Sequence, residues 1–101
     1  MKRINSFIVF LFLSTTMMAQ TPDTLFDQGN KAYNLGAYQE AITSYELVLE
    51  AEVHSSELYF NLANAYYRLG EVGESVFYFE KAKLLDPDRE EILTNLQFAQ
   101  N

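Results

Sequence analysis

Cysteine and tryptophan are absent from this 101-residue chain, and histidine occurs once. Without cysteine there is no disulfide framework, no thiolate metal or redox site and no lipid-bearing cysteine. His54 lies near Glu52 and Glu57 in a connection, without the companions at fixed spacing that a metal ion requires, and reads as an exposed turn residue. Basic residues are also scarce: seven Lys and Arg stand against fourteen Asp and Glu, a formal charge of -7. Such a surface repels a phosphate backbone, so nucleic acid is excluded as an expected partner; it would steer basic partners, the alternative being that the acids only keep a small protein soluble. The four glycines form no phosphate cradle, and the acids are scattered instead of set out as a calcium loop. No nucleophile stands beside a base. The chain is therefore expected to be no enzyme and to use no cofactor or metal.

Apolar runs long enough to span a bilayer, about 20 residues, are missing as well. Residues 1–19 run from Lys2 and Arg3 through the apolar stretch Phe7 to Leu13, then Ser14, Thr15 and Thr16, to Met17-Met18-Ala19. That order is the layout of a cleaved secretory signal peptide, with the cut expected after Ala19 and the mature protein exported to the periplasm or cell envelope. Loss of Lys2 and Arg3 leaves five basic against fourteen acidic residues, so the charge becomes 5 - 14 = -9.

What is present is a period. Shifted by 34 residues, the sequence pairs Phe26 with Phe60, Asn30 with Asn64, Tyr33 with Tyr67, and Leu35-Gly36 with Leu69-Gly70. Glu40 with Glu74 and Glu46 with Glu80 bring the identities to seven, where ordinary residue usage gives roughly two. Each unit divides at a glycine, which predicts helices over 23–35, 38–50, 56–69 and 72–85. Thr21-Pro22 and Ser55 or Ser56 can open helices, Gly36 and Gly70 can end them in the left-handed conformation, and Asp86-Pro87 stops the fourth. Gly73 inside the fourth helix costs about 1 kcal/mol relative to alanine.

Tyr59, Leu62, Ala63 and Tyr66 are spaced i, i+3, i+4 and i+7, forming one stripe; Leu25, Gly29 and Ala32 are its counterpart. Small Gly29 and Ala63 allow close approach, and Tyr45 and Phe79 can fill the space alongside Ala41 and Ala82.

The block from Leu58 through Ala63-Asn64-Ala65-Tyr66-Tyr67-Arg68-Leu69-Gly70, followed by Asp86-Pro87, resembles a tetratricopeptide repeat. Repeat one (22–55) shares the pattern through Gly29, Tyr33, Gly36, Tyr38, Ala41 and Tyr45, with Val53 at the usual terminal proline. Repeat two (56–89) keeps Pro87 and has Ser75 at the usual alanine. A fifth helix over 90–101, with Leu93, Leu96 and Phe98 apolar, continues the phase as a cap. The resemblance implies an all-α domain over 20–101, about two and a half tetratricopeptide-type helical hairpin repeats in a right-handed superhelical array. More narrowly, the leader, Gly29-Asn30-Lys31-Ala32-Tyr33 and Asn95-Leu96-Gln97-Phe98-Ala99 resemble the tetratricopeptide proteins of the Bacteroides aerotolerance operon, implying a membrane-complex setting. Members of that group often continue into membrane-spanning and SH3-like segments, so the chain is either a truncated relative or a more general repeat.

The family's first helices line a concave groove for peptides or helices. Its groove positions map here to Asp23, Phe26, Asn30, Tyr33 and Asn34, and to Glu57, Phe60, Asn64, Tyr67 and Arg68. Some relatives clamp chaperone tails. Asn30 and Asn61 match that clamp's asparagines, but Phe26, Glu91 and Asn95 replace its cations, so no chaperone-tail binding is expected. The expected partner-binding set is Phe26, Asn30, Tyr33, Asn34, Phe60, Asn61, Asn64, Tyr67 and Arg68. The expected partner is a protein or peptide of basic character, bound by an adaptor in an envelope complex. The alternative is a structural subunit that self-associates, or is permanently assembled, through its end helix, because arrays below about three repeats are marginal alone.

Overall fold

A computed structural model describes residues 20–101; the expected signal peptide and its cleavage site lie outside the described residues. Five helices follow one another: α1 (Pro22–Asn34), α2 (Tyr38–Glu50), α3 (Ser56–Arg68), α4 (Val72–Leu85) and α5 (Glu90–Gln100). Local chemistry sets their limits. The Thr21 hydroxyl accepts from the Thr24 amide at 3.2 Å with Pro22 in the first turn, and the Ser55 hydroxyl accepts from the Leu58 amide at 3.0 Å. Gly36 and Gly70 follow the C-caps of α1 and α3 with φ of 76° and 77°. There their amides bond back to Tyr33 and Tyr67, and the next amides reach Ala32 and Tyr66; this double closure needs a residue without a Cβ penalty.

Helix α2 closes the same way, with Glu52 N–H on Leu49 and Val53 N–H on Val48. The left-handed position is held by Glu52, φ 61°. A side chain there carries strain that glycine would not, so Glu52→Gly is expected to stabilise the fold by about 0.5 to 1 kcal/mol. A rise in the urea midpoint at unchanged slope would register it.

α1 and α2 form one hairpin, α3 and α4 another, and the second helix of each sits between two first helices. Ala41, Ile42, Tyr45 and Val48 on α2 are buried together with Leu25 of α1 and Leu58, Leu62 and Ala65 of α3. One repeat later, Ala63 and Phe79 close on Leu96 and Ala99, while Tyr59 and Ala82 close on Ile92. Tyr78 lies between Tyr59 and Tyr66, 6.0 and 5.7 Å from their ring centroids. The large-against-small expectation holds closely at Gly29, where an added Cβ would fall 2.6 Å from Tyr45 Cδ1.

Helix α5 and Gly73 add two details. On α5 the buried face is Ile92, Leu96 and Ala99, spaced i, i+4, i+7, whereas Leu93 and Phe98 are 37% and 66% exposed. A residue one position off the stripe is turned about 100° around the helix. Gly73 is the second residue of α4, with open space where a Cβ would sit, so no contact requires it.

Ser75 occupies the position of Ala41 one repeat on. It is fully buried, and its hydroxyl has no hydrogen-bond partner. A desolvated, unpaired hydroxyl is a net cost, so Ser75→Ala is expected to stabilise by about 1 kcal/mol, read from the shift in a denaturant transition.

Candidate functional site

Asn30, Tyr33 and Asn34 share one face of α1, and Asn61, Asn64, Tyr67 and Arg68 extend that face on α3. The amides are organised by hydrogen bonds between first helices. Asn30 Oδ1 accepts from Asn61 Nδ2 at 3.0 Å and from the Tyr45 hydroxyl at 2.6 Å. Asn64 Oδ1 accepts from Asn95 Nδ2, again at 3.0 Å. These are the same rung: Asn64 follows Asn30 by one period, and Asn95 follows Asn61 by one period. A carboxamide has two N–H donors and two acceptor lone pairs. The Nδ2 groups of Asn30 and Asn64 and the Oδ1 atoms of Asn61 and Asn95 bond to nothing else among the described residues, so each rung offers donors and an acceptor outward. The rungs differ in one respect: Phe79 stands where Tyr45 does and supplies no hydroxyl, so Asn64 Oδ1 keeps a free lone pair.

Over the first rung lies a hollow of about 310 Å³ lined by Asn30, Tyr33, Asn34, Tyr45, Asn61 and Asn64. The second, about 240 Å³, is walled by Tyr33, Asn64, Tyr67 and Arg68 and completed by Phe79, Asn95 and Phe98. Tyr33 and Asn64 belong to both, so the hollows form one groove. Tyr33 packs edge-on against Tyr38 with centroids 5.2 Å apart. The Tyr38 hydroxyl in turn accepts from Arg68 Nε at 3.0 Å and Nη2 at 2.8 Å. No carboxylate lines either hollow, and the charged residue in their lining is Arg68, in the second.

Seven of the nine expected site residues meet in this groove; Phe26 and Phe60 do not line it. Phe26 packs on the first core with its ring 5.8 Å from that of Tyr45. It faces a separate hollow of about 140 Å³ whose wall includes Val48, Val53 and Leu58, with Asp23 and Glu57 among its lining. Phe60 packs against Phe79 at 6.0 Å, and the Arg89 guanidinium lies 5.0 Å from its centroid. Asn95 and Phe98 were not in the expected set. The period marks both: they follow Asn61 and Asn64 by 34 residues. His54 is in the α2–α3 connection as expected, but it is not idle: Nδ1 shares a 2.6 Å hydrogen bond with the buried Tyr59 hydroxyl, and Nε2 is 3.6 Å from Glu52.

Burial pushes the Tyr45 phenol up from its ordinary value of 10.0 to about 12, the largest cause being loss of water around it. Tyr66 is raised too, first by burial and then by its bond to Glu46, and burial raises Tyr33 and Tyr78. A group whose folded pKa exceeds its unfolded value supports the fold fully below the unfolded pKa and loses that support as pH rises through the folded one. Stability is therefore expected to fall between pH 10 and about 12, with Tyr45→Phe showing a shallower fall. Denaturant midpoints across that range would report it.

No helix among the described residues is long and apolar enough to cross a membrane. A comparison with curated proteins finds no match to the chain. Residues 56–89 match the family model described as the tetratricopeptide repeat, which supports reading the chain as a tetratricopeptide repeat protein. With that match on the second hairpin and the same caps and packing in the first, the fold is an all-α array of helical hairpin repeats of the tetratricopeptide type.

Proposed function

We propose that the chain is an exported protein-interaction module that holds a peptide or helix of a partner in the groove, as an adaptor within a cell-envelope complex. The observation that carries the reading is the pair of asparagine rungs. Buried polar groups ordinarily exhaust one another, yet these half-buried amides bond across the helices and still present donors and acceptors to a continuous hollow. A polypeptide backbone supplies the complementary groups. Tyr33, Tyr67 and Phe98 add aromatic area of the kind that dominates binding energy.

Export and the envelope setting rest on the layout of residues 1–19, and a membrane-complex context on the resemblance to the aerotolerance-operon proteins. The net charge favours basic character on the partner, with Asp23 and Glu57 at the small hollow beside Phe26 as its natural contacts.

Capture from an envelope extract tests the reading. The chain should retain a discrete partner that the double variant Asn64→Ala with Tyr67→Ala loses while keeping its helical circular dichroism. Undiminished capture by that variant would move the binding surface elsewhere. Assembly through α5 is favoured by the exposure of Leu93 and Phe98. Its sign would be a concentration-dependent dimer in sedimentation that Leu93→Asp disrupts.

A further inference from the structure

The groove is chemically uneven along its length. Its first hollow is walled by amides and phenols. At the second, the position held by Asn30 and Asn64 passes to Phe98, whose ring is 66% exposed, next to Tyr67 at 43%. Neither ring is paired with another aromatic among the described residues, and the buried Phe79 ring helps to line the hollow. Water over two unpaired aromatic faces in a concavity is released when an apolar side chain enters.

Arg68 stands in the same wall. Two of its five N–H groups, Nε and one on Nη2, are committed to the Tyr38 hydroxyl, which fixes the guanidinium plane and leaves Nη1 free. No carboxylate lies within 4.0 Å of Arg68 among the described residues, where the two ion pairs are His54 with Glu52 and Arg89 with Glu91. In a chain with fourteen acidic residues, this cation is held in place by a neutral hydroxyl and lines a carboxylate-free hollow. A held guanidinium favours a carboxylate, which it can meet through parallel hydrogen bonds.

Resting on the groove reading above, we propose that the second hollow is the specificity site and that it takes a large apolar side chain, with an Asp or Glu of the same extended peptide meeting Arg68. The amide rungs hold the backbone of that peptide whatever its sequence. The apolar and acidic pair selects it. Asp23 and Glu57 lie in the first turns of α1 and α3, and Arg68 ends α3, eleven residues and about 17 Å from Glu57 at the helical rise. The acid-seeking end of the groove at Arg68 is thus separate from the basic-seeking hollow beside Phe26, where Asp23 and Glu57 lie.

Panning a random displayed octapeptide library on the full chain tests this. Selected peptides should be enriched at least fivefold in Asp or Glu within two positions of Phe, Leu, Ile or Met. Synthetic copies should lose at least fivefold in affinity when the acid becomes Gln, and at least tenfold when the apolar residue becomes Ala. Arg68→Gln should abolish discrimination between acid and Gln while retaining binding, Phe98→Ala should abolish the apolar preference, and Tyr38→Phe should weaken discrimination without removing it. Arg68 and Phe98 are exposed, and Tyr38→Phe removes only a hydroxyl, so the variants are expected to fold. Selection of Lys or Arg beside the apolar residue, or equal discrimination by Arg68→Gln, overturns the proposal but leaves the groove reading intact provided Asn64→Ala with Tyr67→Ala loses the peptides. Peptides that ignore every one of these substitutions, or no selection at all, overturn both.

Discussion

Replacing Tyr45 with alanine is expected to destabilise the domain by about 3 to 5 kcal/mol, the range for emptying a well-packed site of a large aromatic ring. Tyr45 is 1% exposed and lies in the core that joins α1, α2 and α3. Its loss opens both the hairpin contact and the contact to the next repeat. Small domains are stable by roughly 5 to 15 kcal/mol, so this one change consumes a large share and should leave a substantial unfolded population at 37 °C. Tyr45→Phe separates ring from hydroxyl. The second repeat already carries Phe79 at this position, and Asn30 Oδ1 keeps its bond from Asn61, so the expected cost is about 1 kcal/mol. Urea unfolding of both variants measures the difference. A small effect of alanine would mean that neighbouring helices collapse into the space.

Gly29→Ala is expected to destabilise by about 2 kcal/mol even though helix propensity alone favours alanine by about 1 kcal/mol. The new Cβ would overlap the Tyr45 ring. That ring cannot swing away, because it is enclosed by the core and its hydroxyl is tied to Asn30. The same substitution at Gly73, where nothing lies within 4 Å, should instead be neutral or stabilising. Opposite signs at two helical glycines would show that contact and not backbone freedom governs Gly29. Gly29→Ala with Tyr45→Leu should recover part of the loss, since the smaller side chain yields the contested space.

The hairpin architecture was legible because the determinants are local and repeated. Gly36 and Gly70 announce left-handed caps, Thr21 and Ser55 announce helix starts, and the 34-residue shift aligns the two units. The Tyr45 socket at Gly29 was legible for the same reason, as a large residue facing a small one across a predicted hairpin. On α5 the stripe through Ile92, Leu96 and Ala99 competes with Leu93 and Phe98, and an eleven-residue helix gives few turns with which to choose a face. Residue spacing places a side chain on a face, but not which neighbour meets it. Phe26 and Phe60 therefore looked equivalent to Asn30 and Asn64, four residues further along the same helices, although the former pack aside and the latter wall the groove. The rungs themselves were hidden, because a bond between Asn30 and Asn61 depends on the distance between α1 and α3. Only after that distance is known does the period lead on to Asn95 and Phe98.

The central claim is that the asparagine rungs are a receptor for a polypeptide backbone, and the side-chain amide resonances of the labelled protein test it most directly. On titration with a peptide selected on the full chain, the Nδ2 protons of Asn30 and Asn64 should shift along a common isotherm with the Tyr67 and Phe98 ring signals. Exposed residues that line neither hollow, such as Thr43 on α2 and Lys83 on α4, should stay fixed. Shifts confined to those outer residues, with all four rung amides unmoved at saturation, would contradict it.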